Sequence, residues 1–317
     1  MRSERSKVAV LGAGATGATT AHWLATRGNA DLVLVDVVEG LAQGKALDLL
    51  ESLPIVGSNV RVTGGSDYEL ARGADVVVIT AGLGRRPGQS RDDLLRVNYD
   101  IVTDVAKKAQ VVAPDAVFIV LTNPVDVLTY AVQKATGLPY SRVFGQAGVL
   151  DSTRFRTFVA EAAHVSAQDV FAFVMGGHGD YMVPLVRYST IGGLPLEKFL
   201  PRSTIDEIVA RTRNGGGEIV KLLEKGSAFY APGASILAMA EAVLLDQRRV
   251  IPVVAHLDGE YGESDIYVGV PAVIGKNGVE EVLEVDLTEE EKAAFSRSVE
   301  SVRGPLLTLG ISGGVTR

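Results

Sequence analysis

Three groups of residues in this chain could do chemistry on a small anion. Arg85, Arg86 and Arg91 stand in the stretch Gly82-Leu83-Gly84-Arg85-Arg86-Pro87-Gly88-Gln89-Ser90-Arg91. Guanidinium forks grip carboxylates or phosphates through paired hydrogen bonds, and this local positive charge sits on a chain of net charge −7. A second candidate is His178, in Gly176-Gly177-His178-Gly179-Asp180, where flanking glycines are poor for core packing and good for presenting an imidazole in a cleft. The third is Asp151 with Arg154, which share one helical face at i, i+3 spacing in Asp151-Ser152-Thr153-Arg154. Taken singly, each has a plainer explanation: a solvated basic loop, a loop histidine, and a surface ion pair worth a few tenths of a kcal/mol, roughly.

The elements around them argue for a cleft. Apolar runs at residues 8–11, 32–35, 60–63, 76–80, 117–121 and 143–144 alternate with amphipathic stretches near 14–27, 42–52, 91–112 and 125–136. That alternation is expected of a doubly wound parallel sheet, an α/β fold of Rossmann type. The arginine loop then follows the run 76–80 at the carboxyl edge of the sheet, where open α/β folds bind ligands. The pattern changes near residues 145–148, which divides the chain into a first domain, 1–146, and a mixed α/β second domain, 147–317. In the second, strand-like runs are expected at 170–175 and 183–188. A long helical region over 205–247 should be kinked or divided by Gly215-Gly216-Gly217 and by Pro232-Gly233. Three further strand-like runs, 250–256, 267–274 and 279–285, precede a helix opened by Thr288 with Glu291 three residues on, the pattern of a capping box.

Gly12-Ala13-Gly14-Ala15-Thr16-Gly17 follows the first strand and opens a helix, the context a dinucleotide fingerprint needs. Gly12 would permit the tight turn, Gly14 the approach of a pyrophosphate, and Gly17 close helix-to-strand packing. Asp36 follows the second strand, 19 positions past Gly17. A carboxylate there accepts from a ribose diol and repels a 2′-phosphate, which favours NAD over NADP.

Composition excludes several alternatives. With 31 Lys and Arg against 38 Asp and Glu, scattered along the chain, no basic face for nucleic acid is expected. No apolar run approaches the length of a membrane span. The absence of cysteine removes thiolate chemistry and cysteine metal ligands, and four histidines make a histidine-rich metal site improbable, so no metal is expected. A cytoplasmic location is the expectation. His22, His164 and His256 sit in ordinary helical or strand contexts and read as structural or surface residues.

Five motifs occur in order: the glycine fingerprint with Asp36, the loop ending at Arg91, Thr122-Asn123-Pro124-Val125-Asp126, the segment Gly148 through Arg154, and Gly177-His178-Gly179-Asp180. Together they resemble the lactate/malate dehydrogenase family over essentially the whole chain. Within it the chain is similar to the lactate-dehydrogenase-like malate dehydrogenases, because Arg85 stands six residues before Arg91, where lactate dehydrogenases carry glutamine. The resemblance implies NAD as cofactor and malate or oxaloacetate as substrate. His178 would be the acid and base, Asp151 its orienting carboxylate, Arg154 the clamp on the substrate carboxylate, and Arg91 the group polarising the carbonyl. Arg85 would bind the distal carboxylate; Arg86 has no assigned role. Asn123 would contact substrate and cofactor, with Asn98 and Leu121 on the cofactor side. Ala228, where lactate dehydrogenases have threonine, would leave room for the larger substrate, and Pro232 would wall the nicotinamide. A homotetramer or homodimer is implied. Two rival readings are a lactate or other 2-hydroxyacid dehydrogenase, which Arg85 argues against, and a non-catalytic dinucleotide sensor, which the joint presence of His178, Asp151, Arg154 and Arg91 argues against.

Overall fold

Runs rich in valine, leucine and isoleucine with no polar alternation become strands covered on both faces, as parallel sheets require. In the computed structural model, which describes residues 5–84 and 91–311, the first half reads β1 (Lys7–Leu11), α1 (Ala15–Arg27), β2 (Asp31–Val35), α2 (Glu39–Val56), β3 (Val62–Gly65), β4 (Val76–Ile79), α3 (Arg91–Val112), β5 (Val117–Val120), α4 (Val125–Thr136) and β6 (Val143–Gly145). The second half continues α5 (Gly148–Ala163), β7 (Val170–Phe171), β8 (Val174–Met175), β9 (Val183–Pro184), β10 (Thr190–Ile191), β11 (Leu194–Pro195), α6 (Arg202–Leu223), α7 (Tyr230–Leu244), β12 (Arg249–Asp258), β13 (Ser264–Gly275), β14 (Gly278–Val282) and α8 (Glu289–Thr308). Among the described residues no helix is long and apolar enough to cross a membrane.

β1 pairs in parallel with both β2 and β4, so the strand order runs β6-β5-β4-β1-β2-β3 and reverses beside β1. This is the doubly wound order, and its reversal opens a crevice at the carboxyl ends of β1 and β4. Residues from the strands of this sheet, including Val8, Val10, Val76, Val78, Phe118 and Ile119, are fully buried. The sheet does not stop at β6. Val254 of β12 pairs antiparallel with Gly145, and β13 and β14 extend the sheet to nine strands among the described residues. A second apolar cluster, with Phe155, Val159 and Ile205 at its centre, joins α5 to α6.

Several boundaries differ from the sequence expectation. The run 170–175 is two short strands in different sheets: β7 pairs with β10, and β8 with β9. Between them the Phe173 main-chain N–H donates to Ser189 Oγ at 3.2 Å, so a side chain takes the place of a ladder partner. The run 183–188 is strand only at β9 and then closes into a 3₁₀ turn at Val186–Tyr188. The third strand lies two residues later than expected, at Val62–Gly65. Gly215-Gly216-Gly217 does not divide its helix: α6 is continuous, and the chain breaks at residues 224–229 instead. The Thr288 capping box forms as expected, with Glu291 N donating to Thr288 Oγ1 at 3.2 Å and Thr288 N to Glu291 Oε2 at 2.9 Å.

Candidate active site

The glycine-rich turn is shaped for an anion. Gly12 has φ +103°, and a Cβ on it would come 2.7 Å from Ala81 N, so the turn packs directly on the chain leaving β4. At Gly17 a Cβ would lie 1.9 Å from Gly12 O, which fixes how closely α1 approaches β1. Gly14 is the opposite case, with nothing within 4 Å of the corresponding position. α1 begins there with no side-chain cap and no acidic residue in its first turn. Its first amides are therefore available to a pyrophosphate, which fits the group the fold implies.

Asp36 closes the same turn. Its Oδ2 accepts the Ala13 N–H at 2.6 Å and its Oδ1 the Val38 N–H at 2.9 Å, while Lys45 Nζ donates to Ala13 O at 2.6 Å. A carboxylate offers about four acceptor positions, so a ribose diol can still be bound by the remaining two or so. Leu121 is half-buried at the end of β5 and its N–H donates to Ile79 O at 2.9 Å, while Thr122 Oγ1 donates to Ala81 O at 2.7 Å. Asn98 ties these segments together: Oδ1 accepts the Leu83 N–H at 2.8 Å, and Nδ2 donates to Leu83 O and Asn123 O, each at 3.1 Å. Asn123 itself is exposed, free to meet a ligand.

α5 places Asp151 in its first turn, where the helix N-terminus favours negative charge. Arg154, one turn later, sends Nη1 to Asp151 Oδ1 at 3.2 Å. The other oxygen, Oδ2, lies 2.8 Å from His178 Nδ1. Asp151 is 2 % exposed, whereas the His178 side chain keeps 18 % and that of Arg154 12 %, so the carboxylate is sealed behind two groups that still reach solvent. Burial opposes charging the imidazole, but the Asp151 carboxylate against it more than compensates, and the His178 pKa lies above the usual value; Arg154 opposes this and Asp126 assists. With Nδ1–H donated to Asp151, a neutral His178 has its lone pair on Nε2.

Arg154 also explains the glycine triplet. Its Cδ lies 3.1 Å from where a Gly215 Cβ would be, and its guanidinium about 3.8 Å from that of Gly216. The glycines are thus a groove in α6 that admits a side chain from α5. Arg154 Nε is buried against this groove without a hydrogen-bond partner among the described residues. A similar fit joins α7 to α1, where a Gly233 Cβ would stand 3.1 Å from Thr19 Cγ2, and Arg27 Nε donates to Glu241 Oε1 at 2.9 Å. Pro232 and Gly233 thereby open α7 against the fingerprint helix. Arg85 and Arg86 lie outside the described residues, as does the side chain of Arg91, whose backbone begins α3.

The family model for the lactate/malate dehydrogenase NAD-binding domain matches residues 6–145, and that for the lactate/malate dehydrogenase alpha/beta C-terminal domain matches 148–305. The chain belongs to the lactate/malate dehydrogenase family. A malate dehydrogenase of Halalkalibacterium halodurans is 56 % identical to it over 311 residues, covering 98 % of this chain and 99 % of the relative. The apo structure of malate dehydrogenase from Picrophilus torridus superposes with a TM-score of 0.94 at 48 % identity, covering 97 % of this chain and 98 % of that one. A lactate dehydrogenase of Cryptosporidium parvum, solved with lactic acid and β-nicotinamide adenine dinucleotide, reaches the same TM-score of 0.94 at 43 % identity, covering 98 % and 99 %. Backbone shape therefore does not separate the two activities of this family, and side chains must.

The residues that sequence reasoning passed over are those that hold others. Asp126 closes the motif Thr122-Asn123-Pro124-Val125-Asp126 but carried no role there, and its signal was a charge inside the otherwise apolar opening of α4, Val125-Asp126-Val127-Leu128. Ser298, fully buried on α8, carries no sequence signal at all.

Proposed function

We propose that the protein is an NAD-dependent malate dehydrogenase, interconverting (S)-malate and oxaloacetate, with residues 1–146 holding the cofactor and 147–317 the substrate. The observation that carries its chemistry is the 2.8 Å contact of His178 Nδ1 with Asp151 Oδ2, beside the partly exposed guanidinium of Arg154. NAD, when bound, supplies the acceptor for the hydride leaving the substrate C–H bond. In that direction neutral His178 takes the hydroxyl proton on Nε2, and Asp151 balances the imidazolium that results. In reverse the charged ring returns the proton to the oxaloacetate carbonyl oxygen, and the Asp151 carboxylate, which raises the pKa of the ring above its usual value, favours that charged form. Arg154 holds the carboxylate next to the reacting carbon, and Arg91 polarises the carbonyl.

Gly14 receives the pyrophosphate in the turn that Gly12 and Gly17 shape, Asp36 the ribose, and Leu121 and Asn123 line the nicotinamide side, positioned by the buried Asn98, with Asn123 also reaching substrate. Arg85 selects malate over lactate, because a second carboxylate buried without a partner would be costly and a neutral tail would leave the arginine unpaired. The exposed apolar face of α2, with Leu47 and Ile55 at 56 % and 87 % exposure, supports association of this chain with copies of itself, a homotetramer or homodimer, which light scattering would read.

The deciding experiment follows NADH absorbance with oxaloacetate and with pyruvate, for the native chain and Arg85→Gln. Oxaloacetate should be strongly preferred by the native chain. The variant should lose about tenfold to 150-fold in kcat/KM with oxaloacetate and gain with pyruvate, on the scale of one charge-assisted bond. Equal efficiency with both substrates in the native chain would return the lactate reading.

A further inference from the structure

The loop that presents His178 is held by three successive main-chain N–H groups, each donating to a different element. Gly176 N donates to Gly269 O of β13 at 2.7 Å, Gly177 N to Ser298 Oγ of α8 at 2.6 Å, and His178 N to Asp126 Oδ2 of α4 at 3.0 Å. The first two acceptors are neutral. The third is a carboxylate that is only 4 % exposed, and its other oxygen, Oδ1, is buried with no hydrogen-bond partner among the described residues.

Position alone does not require that charge. An amide or hydroxyl oxygen would accept the same N–H, and burying an ionised carboxylate with one oxygen unpaired is far costlier than burying a neutral acceptor. Two features offset the cost. Asp126 is the second residue of α4, where the helix N-terminus favours negative charge, and the main-chain N–H and ring of His178 both favour its charged form. The charged groups facing His178 among the described residues are Asp151 and Arg154 of α5 and Asp126 of α4; α8 contributes the uncharged Ser298.

We propose that Asp126 is a second positioning carboxylate for His178: it seats the histidine through its main-chain N–H and adds a negative charge that favours the imidazolium. Burial pushes the Asp126 carboxyl up to about 6, with the His178 N–H and ring opposing and Asp151 adding, so it is ionised from neutral pH upward, where the charge is useful. The contact also joins the half of the chain matched by the NAD-binding model to the loop of the other half that carries the proton. Removing only the charge should therefore leave the loop in place and lower the pKa of the ring.

This inference rests on His178 as the proton carrier of the proposed reaction, so the test reads the ring directly. The His178 ring is titrated by proton NMR in the full-length protein without substrate, its signal assigned by its loss in His178→Gln. Asp126→Asn keeps an acceptor for the N–H and should lower the ring pKa by about half a unit to one unit. The alkaline limb of kcat/KM for oxaloacetate reduction should move down with it, while the NADH dissociation constant stays unchanged. Asp126→Ser, which keeps a hydroxyl acceptor, gives the same reading should the asparagine variant fail to fold. Ser298→Ala removes a neutral acceptor from the same loop and should leave the ring pKa in place. A shift below about 0.2 unit in both Asp126 variants, or an equal shift in Ser298→Ala, would overturn the proposal. Because the titration needs no turnover, absence of malate dehydrogenase activity would sink the functional reading without deciding this one.

Discussion

The dinucleotide end and the histidine end of the crevice are built in different ways. The first is nearly one continuous piece of chain, Gly12 to Asp36, and works largely through backbone: an open amide cluster at Gly14, a turn closed on itself by Asp36 and Lys45. The second is assembled from side chains on α4, α5 and α8 and from the backbone of α6 and β13, none of which could place His178 alone. A pyrophosphate carries its charge with little positional demand, so a local nest of amides suffices. Proton transfer needs a ring fixed at hydrogen-bonding distance from a particular oxygen, and only several braces from different directions supply that.

The largest effect should come from the histidine end. His178→Asn is expected to lower turnover by about 10²-fold to 10⁴-fold while leaving NADH affinity, read by fluorescence titration, within about twofold of native. A matching loss of NADH affinity would break the division between the two ends. In the native protein the raised pKa of His178 should carry oxaloacetate reduction, which needs the charged ring, to a higher pH than an ordinary imidazole allows, and malate oxidation should rise only above that same value. The pH dependence of kcat/KM in both directions measures this, and an alkaline limb at the ordinary imidazole value would remove Asp151 as the cause.

Gly17→Val tests the other end. The added Cβ would meet Gly12 O at 1.9 Å, so α1 must move away from β1. Overpacking of this kind costs about 1–3 kcal/mol, and the amides that would face the pyrophosphate are displaced with the helix. NADH affinity should fall by at least about tenfold and Tm should drop with it. If Tm falls and NADH binding does not, the turn is a packing device only.

The smallest effect sharpens the comparison within α6. Gly215→Ala and Gly216→Ala each add about 1 kcal/mol of helix preference. At Gly215 the new methyl would press on Arg154 Cδ at 3.1 Å, whereas at Gly216 the nearest atom is an Arg154 nitrogen at 3.8 Å, an ordinary contact. Gly216→Ala should therefore melt at or above the native temperature and Gly215→Ala below Gly216→Ala, and only Gly215→Ala should raise the KM for oxaloacetate, by about threefold to tenfold. Equal KM values in the two would mean that Arg154 is not held by this groove.

The contrast between the two ends also explains what could be read without a structure. The strand and helix alternation of the first half, the turn at Gly12 to Gly17 and the cap at Thr288 all follow from patterns within a few residues of one another, and the first six strands form the doubly wound parallel sheet that alternation implies, whereas its extension by β12, β13 and β14 was not legible. Reading failed where an element answers to a distant partner. Three glycines in a row signal a helix break by propensity, yet α6 runs through them because Arg154 of α5 packs against the bare backbone and the surrounding contacts hold the helix. The strand expected over 170–175 divides because Ser189 and two different strand partners compete for it.

By itself, then, the amino-acid sequence determined the doubly wound half and the glycine-rich turn, which depend on residue type and short spacing, and it marked His178, Asp151 and Arg154 as candidates through the motifs that resemble the family. Only the tertiary structure decided that His178 meets Asp151 from 27 positions away, Asp126 from 52, and that its neighbour Gly177 meets Ser298 from 121. Contacts at such separations depend on how α4, α5 and α8 dock around the common core, and hydrophobic packing, which drives that docking, is blind to which polar atoms it brings into register.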